Sequence, residues 1–446
     1  MKYEKGGLIA EGKTKKIFEV VDSKGQLVIV ENKEDITAFD DPSKTRTFKT
    51  KAVFATTTTC RVFELLRKAG IPVVFQEQMS PTEFVALNCR MIKLEVVARR
   101  YAVGSYLKRH PELPIPKDGQ APHRFHRLVT EFFLKTTAGK FVEPNGKIIV
   151  EGLDPQKGEE DPIISNPFEG EWQLFHSKKP AWDDTANLKR IIKDYQVIPE
   201  SDIVTVGDRV NMMENIIRKV FLVLEGAWNN LGLHFIDLKI EFGIGPGLEG
   251  LVVAADVIDN DSWRLRDQNW QELSKEAFRQ GEELTEVEKK YSIVANLVEQ
   301  FRIPEQALVI WTGSDEDEPP KATLCYGVNV VNVVLSRHKA TKACLEKLEE
   351  LMANHPEGGV MLTKVGRSNG LGPILATHTT WPVISIPATL KEFPQDLWSN
   401  VRMPSSVPLS TSWPEENAVQ AALNILAQKN PLLYARLQEQ IEKLDT

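Results

Sequence analysis

Asp237, Lys239 and Glu241 occupy alternate positions of Ile236-Asp-Leu-Lys-Ile-Glu-Phe-Gly243, and a strand would set all three on one face. The turn-rich run Gly243-Ile-Gly-Pro-Gly-Leu-Glu-Gly250 leads to Leu251-Val-Val-Ala-Ala-Asp-Val-Ile258, a second strand pattern. Folding back as a hairpin partner, it would bring Asp256 over the charged face. Carboxylates gathered beside a lysine suit a hard cation such as magnesium with nucleotide phosphates, because that ion keeps several waters and takes only one or two protein carboxylates. The same residues also fit a solvated edge hairpin with exposed salt bridges.

Two further stretches carry charge suited to phosphate. Glu11-Gly-Lys-Thr-Lys-Lys-Ile-Phe18 lies between apolar, β-prone segments. Gly12 permits a close turn, and Lys13 and Lys15 offer ammonium groups, although the Gly-x4-Gly-Lys-Ser/Thr loop is absent and a short basic turn is often merely solvated. Met91-Ile-Lys-Leu-Glu-Val-Val-Ala-Arg-Arg-Tyr-Ala-Val-Gly-Ser105 reads as a strand entering a helix, with Arg99, Arg100 and Ser105 placed to hold an anion. Guanidinium groups meet phosphate and carboxylate in a fixed fork.

The elements that position these groups read as follows. Residues 1 to about 90 are short strands with a helix near Ala55 to Gly70, and about 95 to 265 form a mixed α/β region, with Met91 to Glu95 as a hinge. Residues 119–182, rich in Pro, Gly and acids, read as a surface insertion. Residues 269–304 read as a helical linker, with a helical pattern over 271–302 that ends before Ile303-Pro304. Beyond it, four apolar runs mark buried parallel strands: Ala307 to Thr312, Val328 to Leu335, Val360 to Val365 and Pro382 to Ile386. The turns after them are Gly313-Ser-Asp-Glu-Asp317, Ser336-Arg-His-Lys339, Gly366-Arg-Ser-Asn-Gly-Leu-Gly-Pro373 and Pro387-Ala-Thr389. Ligands of open α/β sheets bind at the carboxyl ends of strands, so the four turns are expected to converge on one site. Taken singly, the glycine-rich turn also fits a tight strand-to-helix connection, and His338 a structural histidine.

Residues 8 to about 280 resemble the SAICAR synthetase family, which joins L-aspartate to a carboxylated aminoimidazole ribotide (CAIR) with ATP. The likeness rests on the Gly12-Lys-x-Lys15 turn, the Met91 to Ser105 stretch, the Asp237-x-Lys-x-Glu241 strand with Asp256, Asp261-Ser-Trp-Arg264, and Ser274-Lys-Glu-Ala-Phe-Arg279. It implies a two-lobed α+β ATP-binding domain over 1–268, with lobes 1–92 and 93–268. By the same resemblance, Gly12, Lys13, Lys15 and Glu95 meet ATP, and Glu241 and Asp256 bind Mg2+. Asp237 and Lys239 serve the chemistry, and Arg99, Ser105, Arg264, Lys275 and Arg279 hold the ribotide. Three positions depart from the family pattern without removing a charged group from that chemistry: Lys93 for Pro, Val103 for Thr or Ala, and Ser274 for Asp.

Residues 305–446 resemble the animal-type AIR carboxylase family, which adds CO2 to aminoimidazole ribotide (AIR) without ATP. Gly366 to Pro373 and Ser336-x-His-Lys339 carry that likeness. It implies an open parallel three-layer αβα, flavodoxin-like domain. His338 takes the acid–base role there, and Ser314, Asp317, Ser336, Lys339, Gly366, Arg367, Ser368, Asn369 and Gly370 hold the ribotide. Departures gather near this site: Glu316 for Ser, Arg337 for Ala, and Thr377 and His378 for Gly-Asn. A carboxylate at 316 would repel a ribotide phosphate by roughly 1 to 4 kcal/mol at about 4 Å. The synthetase-then-carboxylase order is that of the bifunctional animal enzymes, whose carboxylase domains form an octameric core. The expected alternatives are an active synthetase with a degenerate carboxylase-like module kept for assembly, and a different ATP-dependent phosphotransferase.

Composition agrees with an enzyme of this kind. The chain has 446 residues, 42% hydrophobic and 26% charged, enough for about three domain-sized units with ample core. A net charge of −7 argues against a nucleic-acid partner. Cys60, Cys89, Cys325 and Cys344 lack metal or redox spacing, which fits a reducing compartment. With neither a signal-peptide core nor a spanning apolar run, no membrane association and a cytoplasmic location are expected.

Overall fold

Strand-forming residues in the first 90 positions build an antiparallel five-stranded sheet in the order Lys5–Glu11, Lys15–Val20, Leu27–Asn32, Glu83–Leu87 and Phe75–Ser80. Helix Lys51–Lys68 buries Val62, Phe63 and Leu66 beside it. The computed structural model of the chain describes residues 3–37, 45–48, 50–143, 146–199, 201, 203–247, 250–279, 281–322 and 327–444. Contacts divide it into two compact units, Met1–Phe301 and Arg302–Leu444.

The rest of the first unit is organised by an eight-stranded sheet centred on Arg124–Leu134, Arg90–Tyr101 and His234–Ile244, all antiparallel. Val253–Ala255 and Trp263–Arg266 both pair with His234–Ile244. Ile236, Leu238, Ile240 and Phe242 are buried, and helix Val206–Asn230 backs the sheet, with the Phe221 ring tilted against Phe235 at 4.8 Å between centroids. The two sheets are tied where Val74 N donates to the Ala254 carbonyl and Ala254 N to that of Pro72.

Two sequence expectations change here. Residues 119–182 are not wholly a surface insertion, because Arg124–Leu134 is a central strand whose period is flanked on both sides by Pro- and Gly-rich turns that hide it. The stretch read as a helical linker contains Leu284–Val298, and its Val287 and Tyr291 pack with Ile36 and Phe48 inside the first unit. Apolar residues at helical spacing require a partner surface, and this helix finds one on its own unit.

The second unit is a parallel five-stranded sheet in the order Val328–Val334, Gln306–Thr312, Gly359–Val365, Val383–Pro387 and Leu409–Thr411. Order 2-1-3-4-5 is the flavodoxin-like arrangement. Alternate residues of the central strand feed opposite layers: Leu308 and Ile310 pack with Leu426 and Leu433, and Val309 and Trp311 with Leu348 and Leu375. This is the expected three-layer αβα domain. Val328–Val334 is not fully buried as expected, since it lies at the sheet edge with Asn329, Asn332 and Val334 exposed. Leu409–Thr411 is too short to stand out in the sequence.

Candidate active site

Strand register places the synthetase residues in rows. Asp237 lies opposite Arg99, Lys239 opposite Val97 and Glu241 opposite Glu95, while Arg264 flanks Asp237 from the other side. Glu95 and Glu241 face one another directly, a pairing that is unfavourable without cations between. Lys239 Nζ lies 3.3 Å from Glu95, and Lys135 pairs with Glu241. Burial opposes the Glu241 charge, yet Lys135, Lys15 and Lys239 outweigh it and hold this carboxyl below its usual range.

Glu241 closes one end of a cavity of about 380 Å3. Val28, Val30, Val74, Phe84, Leu87 and Met91 give it apolar walls, and Lys15, Lys135, Glu241 and Asp256 a charged end. That combination fits a flat base and a polyphosphate. Gly12 N donates to the Lys15 carbonyl at 2.9 Å, closing the hairpin turn, with Gly12 and Lys13 exposed on it and Lys15 paired to Asp256. Asp256 holds φ +66°, an uncommon backbone state, and lines the same cavity as Glu241. Among the described residues no group of three or more His, Cys, Asp or Glu is arranged to hold a metal. Two carboxylates, Glu241 and Asp256, fit Mg2+ shared with nucleotide phosphates, which asks for no more.

A second cavity, of about 360 Å3, is lined by Glu95, Arg99, Ser105, Asp237, Lys239 and Arg264. Asp237 accepts from Arg99 Nη1 and Arg264 Nη1, each at 2.5 Å. Arg99 Nε donates to Glu131 at 2.7 Å, and Arg109 pairs with the same carboxylate. Burial alone would raise Glu131, but Arg99 and Arg109 hold it below its usual range. Likewise, burial works against the Arg264 charge, and Asp237 and Glu276 overcome it. Gly104, at φ +59°, sits where a Cβ would come within 2.7 Å of Arg264 Nη2, so glycine here lets the guanidinium lie against the backbone.

The positions expected from sequence fall unevenly. Glu95, expected at ATP, lines the second cavity instead, and Arg99 is buried with two donors already engaged. Lys275 does not line the cavity itself but reaches its lining carboxylate Asp261 at 3.0 Å, beside Lys51 at 3.5 Å and the Tyr291 hydroxyl at 2.5 Å. Burial and the neighbouring Asp261 charge push Asp259 up to about 6, while Lys51 and Lys275 overcome burial and hold Asp261 low. The Arg279 side chain lies outside the described residues, as does Cys325. Sequence reading missed Glu131, Lys135 and Asp161. Alternation in Glu131-Phe-Phe-Leu-Lys135 was the available signal, since it places Glu131, Phe133 and Lys135 on one face.

In the second unit the turns meet at the carboxyl edge of the parallel sheet. A Cβ on Gly370 would lie 2.7 Å from His338 Nε2, so the glycine admits the imidazole against the turn. Arg367 N donates to Thr389 Oγ1 at 3.1 Å, and Ser314 Oγ to Asp317 at 3.2 Å. His338, Lys339, Ser314, Arg367 and Ser368 are exposed, Ser336, Gly366 and Asp317 partly buried. Asn369 is buried, its amide nitrogen donating to Ser385 and Asn400 while its oxygen accepts from Gly372 N. Thr377 and His378, which stand in place of Gly-Asn, are exposed and donate to Ile374 and Pro373 carbonyls at the end of helix Leu371–Ala376.

The SAICAR synthetase family model matches residues 8–150 and 180–298, and the AIR carboxylase model matches 308–446, so the class is a synthetase fused ahead of a carboxylase. Over 452 residues the chain is 33% identical to the probable multifunctional protein ADE2 of Caenorhabditis elegans, spanning 96% of this chain and 92% of that one. It is 32% identical over 454 residues to the human bifunctional phosphoribosylaminoimidazole carboxylase/phosphoribosylaminoimidazole succinocarboxamide synthetase, spanning 98% and 93%. The phosphoribosylaminoimidazole-succinocarboxamide synthase of Chloroflexus aurantiacus matches 66% of this chain and 96% of its own length, at 33% identity. The chain belongs to the bifunctional AIR carboxylase and SAICAR synthetase family.

Proposed function

We propose that the C-terminal unit converts AIR and CO2 to CAIR, and that the N-terminal unit joins CAIR to L-aspartate with ATP. Membership in this family makes the chain a carboxy-lyase and a ligase of purine biosynthesis. The observation that carries the ligase assignment is the register around Lys239. Two residues to one side, Glu241 ends the cavity suited to a nucleotide; two residues to the other, Asp237 gathers arginines in the second cavity.

A CAIR carboxylate in the second cavity takes the γ-phosphoryl group of ATP, ADP departs, and the aspartate amine attacks the acyl carbon, forming the amide and releasing phosphate. Lys239 offsets charge on the phosphorylated carboxylate, and Lys15 on the polyphosphate. Asp237 fixes Arg99 and Arg264, so it acts on the ribotide through them. Mg2+ held by Glu241 and Asp256 would neutralise phosphate charge during transfer. In the carboxylase unit His338 moves the proton between the ribotide and solvent. By the family resemblance the protein acts in the cytoplasm as an octamer. Exposed Trp398, Val401 and Trp413 on the carboxylase unit support association, which analytical ultracentrifugation measures.

Purified protein given AIR and bicarbonate should form CAIR without ATP, and SAICAR only when ATP, Mg2+ and L-aspartate are added. Carboxylation that requires ATP, or no SAICAR under full conditions, overturns this reading. Glu241→Gln and Asp256→Asn should each raise the Mg2+ needed for half-maximal synthetase activity by at least about ten-fold, because each removes one anionic ligand from a site with few. Normal activity of both variants at limiting Mg2+ would rule the metal assignment out.

A further inference from the structure

The synthetase family model leaves residues 151–179 unmatched, yet part of this segment forms a wall of the ribotide cavity. Pro155, Gly158, Glu160, Asp161, Ser177 and Lys178 all line it. The wall is tied down from within. Lys178 N donates to His176 Nδ1 at 3.0 Å, which leaves the ring proton on Nε2 to be donated to the Lys157 carbonyl at 2.9 Å. His176 is buried and so staples the turn at 155–158 to the chain at 176–178. Arg109, which also pairs with Glu131, donates Nη1 to the Ser177 carbonyl at 2.5 Å, joining the wall to the arginine network.

Charge around the cavity is unevenly answered. Glu95, Glu160, Asp161, Asp237 and Asp261 supply five lining carboxylates against the four cations Arg99, Lys178, Lys239 and Arg264. Arg99 and Arg264 are engaged by Asp237, and Lys239 by Glu95. Lys178 makes no ion pair with another of the described residues, and its Nζ lies 3.5 Å from the Cβ position of Gly158, at the cavity edge. Both substrates brought here are anions: a phosphate-bearing ribotide carboxylate and a dicarboxylic amino acid.

We propose that this segment is a substrate-binding wall and that Lys178 binds an anionic oxygen, phosphate or carboxylate, of one of those two substrates. The inference rests on the ligase reading above. Steady-state synthetase kinetics on the full chain, varying CAIR and L-aspartate separately, test it with Lys178→Met and Lys178→Arg. Lys178→Met should raise one of the two KM values about ten-fold while kcat and the KM for ATP change little, since one charge-assisted contact common to ground and transition states is lost. A shift in the CAIR value assigns Lys178 to the ribotide, a shift in the L-aspartate value to the amino acid, and Lys178→Arg should recover most of either. Unchanged kcat for SAICAR formation and an unchanged KM for ATP in the same preparation show that the first unit is folded. KM values for both substrates within about two-fold of wild type overturn the proposal. Absence of SAICAR formation by wild type would instead sink the ligase reading on which it rests.

Discussion

His338→Asn lowers ATP-independent carboxylation by roughly 10²–10⁴-fold while synthetase activity on supplied CAIR stays near wild type. The imidazole is exposed at the carboxyl edge of a parallel sheet and lies against Gly370, where the turn after Gly359–Val365 leaves no side chain in its way. Asparagine keeps the polarity but cannot carry a proton near neutral pH. Separate assays of CAIR formation and of SAICAR formation from CAIR check the result, and parallel losses in both would show that the substitution acts through folding rather than through proton transfer. Glu316→Ser, made in the same background-free assay, should lower the KM for AIR, because an exposed carboxylate in the turn after Gln306–Thr312 opposes a ribotide phosphate. An unchanged KM would mean that Glu316 points away from the phosphate.

Glu131→Gln destabilises the first unit by about 3 to 5 kcal/mol at neutral pH, because it leaves the buried Arg99 and Arg109 without the carboxylate they share. Denaturant unfolding followed by tryptophan fluorescence measures it. The sign of its pH dependence follows from the direction of the shift. In the folded protein the two arginines overcome burial and hold Glu131 below its ordinary value, so its contribution is present above the unfolded carboxyl pKa of about 4.3 and is lost as pH falls through the folded value. Wild type and variant should therefore differ fully near neutrality, begin to converge as pH falls below the unfolded carboxyl pKa of about 4.3, and meet only below the folded value. A constant difference across that range would mean that the carboxylate charge is not what holds the arginines. Because Arg99 also meets Asp237, the variant should weaken CAIR binding as well.

Much of this protein was legible in residues 236 to 264. Alternation over Asp237, Lys239 and Glu241 sufficed for a charged strand face, and the strand pairs with Val253–Ala255 as the hairpin pattern required. The second unit was equally open to reading, since a parallel sheet covered on both faces leaves continuous apolar runs, each followed by its turn. Tertiary structure alone decided what the charges do. Asp237 and Arg99 are both charged groups on strands in the sequence, but only the register that sets them opposite one another, with Arg264 across the next strand and Glu131 behind, turns them into a buried network. The same holds for Lys135 and Lys178. They come from a stretch whose prolines and glycines conceal its strand period, and they reach the two cavities because Arg124–Leu134 joins the sheet beside Arg90–Tyr101 and the chain after it folds back over the site. Period along a strand is a local property of the chain, whereas the partner opposite each residue depends on contacts between segments distant in sequence, which side-chain alternation alone does not specify.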